Sequence, residues 1–286
     1  MTTVVSTDSG LSVESPMIYY QPKGGMLRAA GKVWLIRLTL LVVVLGSWQL
    51  LAVTGVMDPT FVGEPSKIAV AFVRLFPTSV VTRDLPTTLS ETVVGFLIGA
   101  VAGISAGFLL SRFKVVNQAV QPLLSAANSL PRVALAPLFI IWFGLGQPSK
   151  IALSVSLVFF ILLSNTMAGL TSADRDLLLL ARSLGATESQ RLRRFVLPAA
   201  VPTLVAGLEL GLVYSFLGAV TGEIIGGSHG LGVVLSYTAN TFDTNKFFAV
   251  LLLLAIVTTV ITAGLRLLGR RILRWHEIEM RGSSGE

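Results

Sequence analysis

The 286-residue chain contains no cysteine. Disulfide frameworks, thiolate zinc sites and thiol catalysis are therefore excluded, and the redox compartment is unmarked. Charge is scarce as well. Only 13% of residues are Asp, Glu, Lys or Arg, where a water-soluble domain carries about 25%. Much of the surface must face something other than water. Histidine is limited to His229 and His276, and neither falls in an apolar run. Hydrolytic or metal chemistry inside a membrane needs a histidine or paired carboxylates within the spans. No catalytic residue and no metal site is assigned.

What is present is apolar: 53% of residues are hydrophobic and the mean hydropathy is +0.78. A helix crossing a bilayer needs about 20 mostly apolar residues. Six stretches qualify: Val33–Val53, Thr88–Leu110, Ala119–Phe143, Ile151–Leu170, Leu197–Ile225 and Phe247–Leu268. The third holds Pro122, Pro131, Arg132 and Pro137 and is expected to be irregular. Glu91 lies near the outer end of the second, and Glu209 and Glu223 lie inside the fifth. The expected fold class is an all-α membrane protein with about six transmembrane helices.

The charges test this count. Of 22 Lys and Arg, sixteen fall in or near the two terminal segments and the loops after the second and fourth spans; five fall on the opposite side. Such an excess on alternate loops is the positive-inside pattern, and it predicts cytoplasmic N- and C-termini. It also accounts for the net charge of +7 without a nucleic-acid partner. Residues 1–32 hold no span and are expected to be a cytoplasmic tail, its first 22 residues Ser/Thr-rich and disordered. The first apolar run is followed by no small-residue cleavage site, so residues 33–54 read as a retained first transmembrane helix. Residues 271–286 read as a second cytoplasmic tail.

The second span places Gly95, Gly99, Gly103 and Gly107 four residues apart. This clears one helix face for a closely packed neighbour. Packing within the subunit is preferred over a dimer contact.

Residues 172–196 form the only sizeable cytoplasmic segment between spans. Ser172 and Asp174 are candidate helix caps. Leu177, Leu180, Ala181 and Leu184 recur at helical spacing. Gly185 ends or bends that helix. Thr187 and Gln190 fit a capping box opening a second, basic helix with Arg191, Arg193 and Arg194. Pro198 and Pro202 open the following span. The first helix could lie on the lipid surface or dock into a groove on a soluble partner; pattern alone does not decide.

The stretch Leu179-Leu180-Ala181, three residues, Gly185, nine residues, Phe195-Val196-Leu197-Pro198 resembles the EAA loop of ABC importer permeases. Ala181, Gly185, Leu197 and Pro198 match it; Leu179 stands where the motif has Glu, and Leu180 where it has Ala. Leu130 to Leu138 continuing into Ile141-Trp142-Phe143-Gly144-Leu145-Gly146 resembles the nitrate, sulfonate, taurine and bicarbonate branch of that family. So does Gly222-Glu223-Ile224-Ile225-Gly226 followed by Gly230-Leu231-Gly232. The resemblance covers roughly residues 85–270.

The resemblance implies a type I ABC importer permease fold, with a transmembrane domain at 85–270 and a coupling loop at 172–196. It implies a multi-pass location in the bacterial inner membrane. The implied partners are two copies of a soluble ATPase subunit, an extracytoplasmic substrate-binding protein, a second copy of this chain, and the lipid. ATP and Mg would bind the ATPase, and no cofactor is expected here; the sequence has no Gly-x-x-x-x-Gly-Lys-Ser/Thr loop. Implied coupling residues are Leu180, Ala181, Leu184, Gly185 and Ala186, with Leu197 and Pro198 closing the motif.

Polar residues within spans are costly and default to functional candidates. For the substrate path these are Arg132, Trp142, Asn165, Glu209, Tyr214 and Glu223. Arg132 could face the cavity as an anion site, snorkel to the surface, or pair, for instance with Glu209. Glu223 is a candidate brace for the 226–232 loop, which resembles a gate. The implied solute is a small anion: sulfonate, taurine, nitrate, bicarbonate or aromatic acid. The rival reading is an ATP-independent carrier or channel, but no internal repeat supports it.

Overall fold

A computed structural model describes the backbone of residues 26–282 and the side chains of 32–271 other than Lys114. The disordered stretch expected over residues 1–22 lies outside the described residues. All regular structure among the described residues is helical. The α-helices are α1 (Met26–Val53), α2 (Pro59–Val62), α3 (Pro65–Leu75), α4 (Leu85–Arg112), α5 (Lys114–Ser129) and α6 (Ala136–Phe143), then α7 (Gln147–Leu170), α8 (Arg175–Ser183), α9 (Glu188–Arg191), α10 (Leu197–Gly226), α11 (Leu231–Asn240) and α12 (Thr244–Gly282).

The chain divides into two compact units, residues 1–50 and 51–286. In the first, α1 exposes apolar side chains all round, including Trp34, Leu38 and Val42, as a membrane-spanning helix does. The Arg37 guanidinium lies 5.6 Å over the Trp34 ring.

The second unit is built on α7, with α4 and α10 packed against it. The glycines explain how. Gly95, Gly99, Gly103 and Gly107 of α4 face Ser154, Val158, Phe159–Leu163 and Thr166 of α7 in that order, so the two helices run parallel. Gly207, Gly211, Gly218 and Gly222 of α10 face Asn165, Val158, Ser154 and Lys150, so α10 runs antiparallel. The glycine face of the second span is thus used inside the subunit. Leu153, Val158 and Leu162 of α7 are completely buried beneath it. A second core joins α3, α10, α11 and α12 through Leu75, Phe216, Leu231, Leu235, Val250 and Leu253.

Parallel neighbours require a return crossing between them, which α5 and α6 supply. The third span was expected over Ala119–Phe143; instead two helical pieces meet at 83° across Leu130–Pro131. Pro131 has no N–H to donate and biases Leu130 to extended backbone, so the helix breaks there. Five helical runs are long and apolar enough to span, and the bent pair makes six. Proline shapes two further sites. Pro86 and Pro198 each follow a wide turn, Val80–Asp84 and Leu192–Val196, in which Leu85 N–H and Leu197 N–H reach back five residues. That longer reach shifts the hydrogen-bond ladder just before a residue that cannot join it.

Two elements were not anticipated. Helix α3 follows the Asp58 turn and packs on α12, burying Ile68 and Leu75. Helix α11 packs on α10 and α12. The backbone of α12 stays helical to Gly282, through most of the expected tail.

Candidate functional site

The most heavily built polar site lies where α4 and α7 begin and α10 ends. Glu223 sits in the last turn of α10, 1% exposed. Its Oε1 accepts from Thr88 Oγ1 at 2.7 Å and its Oε2 from the Gly232 N–H at 2.6 Å. Thr88 Oγ1 in turn accepts from the Leu231 N–H at 2.9 Å, and the Asp84 carboxylate from the Gly230 N–H at 3.1 Å. The 226–232 loop is thereby tied to α4 through its own backbone. Gly230 has φ +120, and a Cβ there would lie 2.1 Å from Glu223 Oε1. Only glycine permits both that backbone and that approach. His229, on the same loop, is exposed and contacts Arg83.

A second carboxyl, Glu91, lies against that of Glu223, with the Lys150 ammonium close to both. Glu91 is 1% exposed and Lys150 2%. Lys150 Nζ also donates to the carbonyls of Leu145 and, at 2.9 Å, Gly146. Buried charges are tolerable only when paired and hydrogen-bonded; Lys150 meets that condition through the two backbone carbonyls rather than a direct ion pair, and Glu91 Oε2 is left without a hydrogen-bond partner. Ser154 Oγ donates to the Ser215 carbonyl at 2.9 Å and Ser215 Oγ to that of Thr92 at 2.7 Å, extending the polar seam between all three helices. The spans therefore do contain paired carboxylates. They are sealed by Gly230, Gly232 and Gly222, leaving no room for a reacting molecule.

The other candidate path residues do not converge. Arg132 donates to Asn128 Oδ1 and lies 4.2 Å over the Phe160 ring. Glu209 pairs with Arg266 at 3.2 Å. The possible Arg132–Glu209 pair is thus corrected: Arg132 bonds Asn128 four residues back, and Glu209 pairs with Arg266 of α12. Asn165 donates to the Ile161 carbonyl at 2.8 Å and faces Gly207. Trp142 is exposed on α6, packed edge-on to Phe139, and Tyr214 is exposed on α10.

At the opposite end, residues 172–196 fold as their pattern indicates. Asp174 caps α8, accepting from the Asp176 N–H at 2.8 Å. Ser172 does not; its hydroxyl donates to the Gly169 and Ala199 carbonyls. Gly185, at φ +79, closes α8. Its N–H bonds to the Arg182 carbonyl and that of Ala186 to Ala181, both at 3.0 Å, a Schellman closure. Thr187 and Gln190 form a reciprocal capping box. Ala181 is buried, while Leu177, Leu179, Leu180 and Leu184 are exposed, Leu184 at 79%. Leu197 and Pro198 are half-buried where α10 begins.

Residues 95–274 match the family described as the binding-protein-dependent transport system inner membrane component. The chain belongs to that family. This permease is 32% identical to a Bacillus subtilis permease protein named for aliphatic sulfonates transport, over 85% of this chain and 88% of that one. It is 33% identical to the riboflavin transport system permease protein of Chloroflexus aurantiacus, over 82% and 88%. Its fold matches a chain of the inward-facing MetNI methionine ABC transporter with a TM-score of 0.57 at 24% identity, covering 68% of this chain and 95% of that one.

The protein is thus the permease component of an ABC importer, with the type I importer permease fold, in the bacterial inner membrane. It is not the enzyme of the system; ATP hydrolysis belongs to a separate ATPase subunit. Sequence reasoning passed over Lys150 and Thr88, and noted Glu91 only by position. Their helix starts carry the signal: Pro86 and Pro148 open α4 and α7, which puts Thr88 and Lys150 in the first turns. The α10 glycines, spaced by four, seven and four, were equally legible.

Proposed function

We propose that two copies of this permease enclose the path for a small anionic solute, which an extracytoplasmic substrate-binding protein delivers. Each copy engages one soluble ATPase subunit, which carries ATP and Mg, through the 172–196 segment. The observation that supports this most is α8: a nine-residue helix, capped at both ends, that presents Leu177, Leu179 and Leu180, and Leu184 at its C-cap, to the outside. Exposed leucines on so well terminated a helix suit a groove on a partner. Coupling is assigned to Leu180, Ala181, Leu184, Gly185 and Ala186, with Leu197 and Pro198 linking the segment to α10. The sulfonate-named relative supports an anionic solute, and Arg132 is the only cation between Val115 and Phe143. Arg132, Trp142, Asn165, Glu209 and Tyr214 are assigned to the path, and Glu223 to the loop above it.

The test is reconstitution with the ATPase and binding protein. Gly185→Val places a β-branched residue at φ +79, which strains the closure. Insertion and assembly should survive while uptake and solute-stimulated ATP hydrolysis fail. Normal uptake in that variant would end the coupling assignment. Competition of uptake by an alkanesulfonate supports the anionic solute; competition by riboflavin alone refutes it.

A further inference from the structure

At the end of the bundle where α4 and α7 finish, beside the α9 turn, lies a cavity of about 640 Å³. One wall is apolar, with Phe108, Met167 and Leu170. The other carries Arg112, Asn117 and Arg191. Arg112 is exposed and makes no hydrogen bond or ion pair among the described residues. Arg191 donates one N–H to Glu188 at 2.8 Å, but its Nε is buried without a partner. So is Oδ1 of Asn117. Both atoms are enclosed by the wall itself, and the groups open to the cavity are the guanidinium ends of Arg112 and Arg191. Two guanidinium groups against the single Glu188 carboxylate leave a positive excess, which calls for an anionic occupant.

We infer that this cavity is a phosphate-recognising site whose occupant is the headgroup of an anionic phospholipid. Guanidinium forks match phosphate oxygens in geometry as well as charge. The apolar wall suits an acyl chain, which inorganic phosphate lacks. Charge distribution places this end at the cytoplasmic leaflet, where basic pockets between membrane helices hold such headgroups. The site sits against the coupling segment, but the inference does not depend on what that segment docks to.

The test is native mass spectrometry of the purified full chain after exchange into phosphatidylglycerol or phosphatidylcholine. The wild type should retain one phosphatidylglycerol in preference to phosphatidylcholine. Arg112→Gln or Arg191→Gln should each weaken retention about tenfold, the loss of one charge-assisted contact. Arg74→Gln, at the other end of the bundle, should change nothing. Thermal unfolding of the wild type with millimolar inorganic phosphate is the second arm. Stabilisation that depends on both arginines, without lipid preference, keeps the phosphate site and makes its ligand soluble. Equal retention of the two lipids together with no response to phosphate overturns the site.

Discussion

Replacing Gly103 with alanine sets a Cβ 2.5 Å from the Phe159 carbonyl oxygen and 3.2 Å from the Leu163 nitrogen. Both are backbone atoms and cannot rotate aside. Restoring an ordinary contact separates α4 from α7 by about 1 Å, and overpacking of this kind costs roughly 1–3 kcal/mol. Alanine also recovers up to about 1 kcal/mol of helix propensity. The net is a loss of about 1–2 kcal/mol, or a fall of roughly 2–4 °C in Tm at this chain length. Gly264 supplies the control. It too lies inside a helix, yet nothing lies within 4 Å of its added Cβ, so Gly264→Ala retains the propensity gain and loses nothing. The assay is thermal unfolding of both purified variants in one detergent, followed by tryptophan fluorescence. Equal Tm values for Gly103→Ala and Gly264→Ala would refute the reasoning, because the glycine face would then not be the contact surface.

Lys150→Met removes the cation near the two buried carboxyls and strands the Leu145 and Gly146 carbonyls, and should cost about 1–3 kcal/mol, as unsatisfied buried acceptors do; a Glu91→Gln second change should recover part of that in a double-mutant cycle. Glu223→Ala strands the Gly232 N–H and Thr88 hydroxyl, and limited proteolysis should then cut within 226–232 faster than in the wild type. Exchanging the partners in Glu209→Arg with Arg266→Glu should restore stability lost in either single variant. Asp58 is held below its ordinary 3.8 by the Thr60 N–H. The cap therefore stabilises the α2 turn above that pH and is lost as pH falls through the lower folded-state value. Hydrogen exchange at the Thr60 amide should accelerate there.

The spans were legible because apolar length is a local property of sequence. The α8 cap and the Thr187–Gln190 box were legible for the same reason: each is closed within four residues. The face that Gly95 to Gly107 clears could be read, but its partner could not, since α7 lies some 60 residues away. The Glu91–Glu223–Lys150 group was hidden more deeply. Three residues on three helices become one site only once parallel and antiparallel packing fixes their depth. The 83° break escaped because prolines announce irregularity without stating an angle. Glu209 found Arg266 rather than Arg132 for a similar reason: complementary charge suggests a pair, but only helix order says which cation is near.

The two glycine faces also decide which parts of this molecule can move. Sliding one helix along another requires side chains that exchange rotamers at the contact. Where α4 and α10 meet α7 the glycines bring backbone against side-chain stems and backbone, and Phe96, Ile104 and Leu208 interlock with the buried Val158 and Leu162 beside them. These three helices therefore turn as one solid lever, locked at one end by carboxyl, ammonium and loop amides. Under the coupling role proposed above for the 172–196 segment, a displacement entering this lever through Leu197 and Pro198 would be carried to its far end. The compliance that a lever needs has to reside in its joints, and the irregular turns ahead of Pro86 and Pro198 and the break at Pro131 are where the chain has put them.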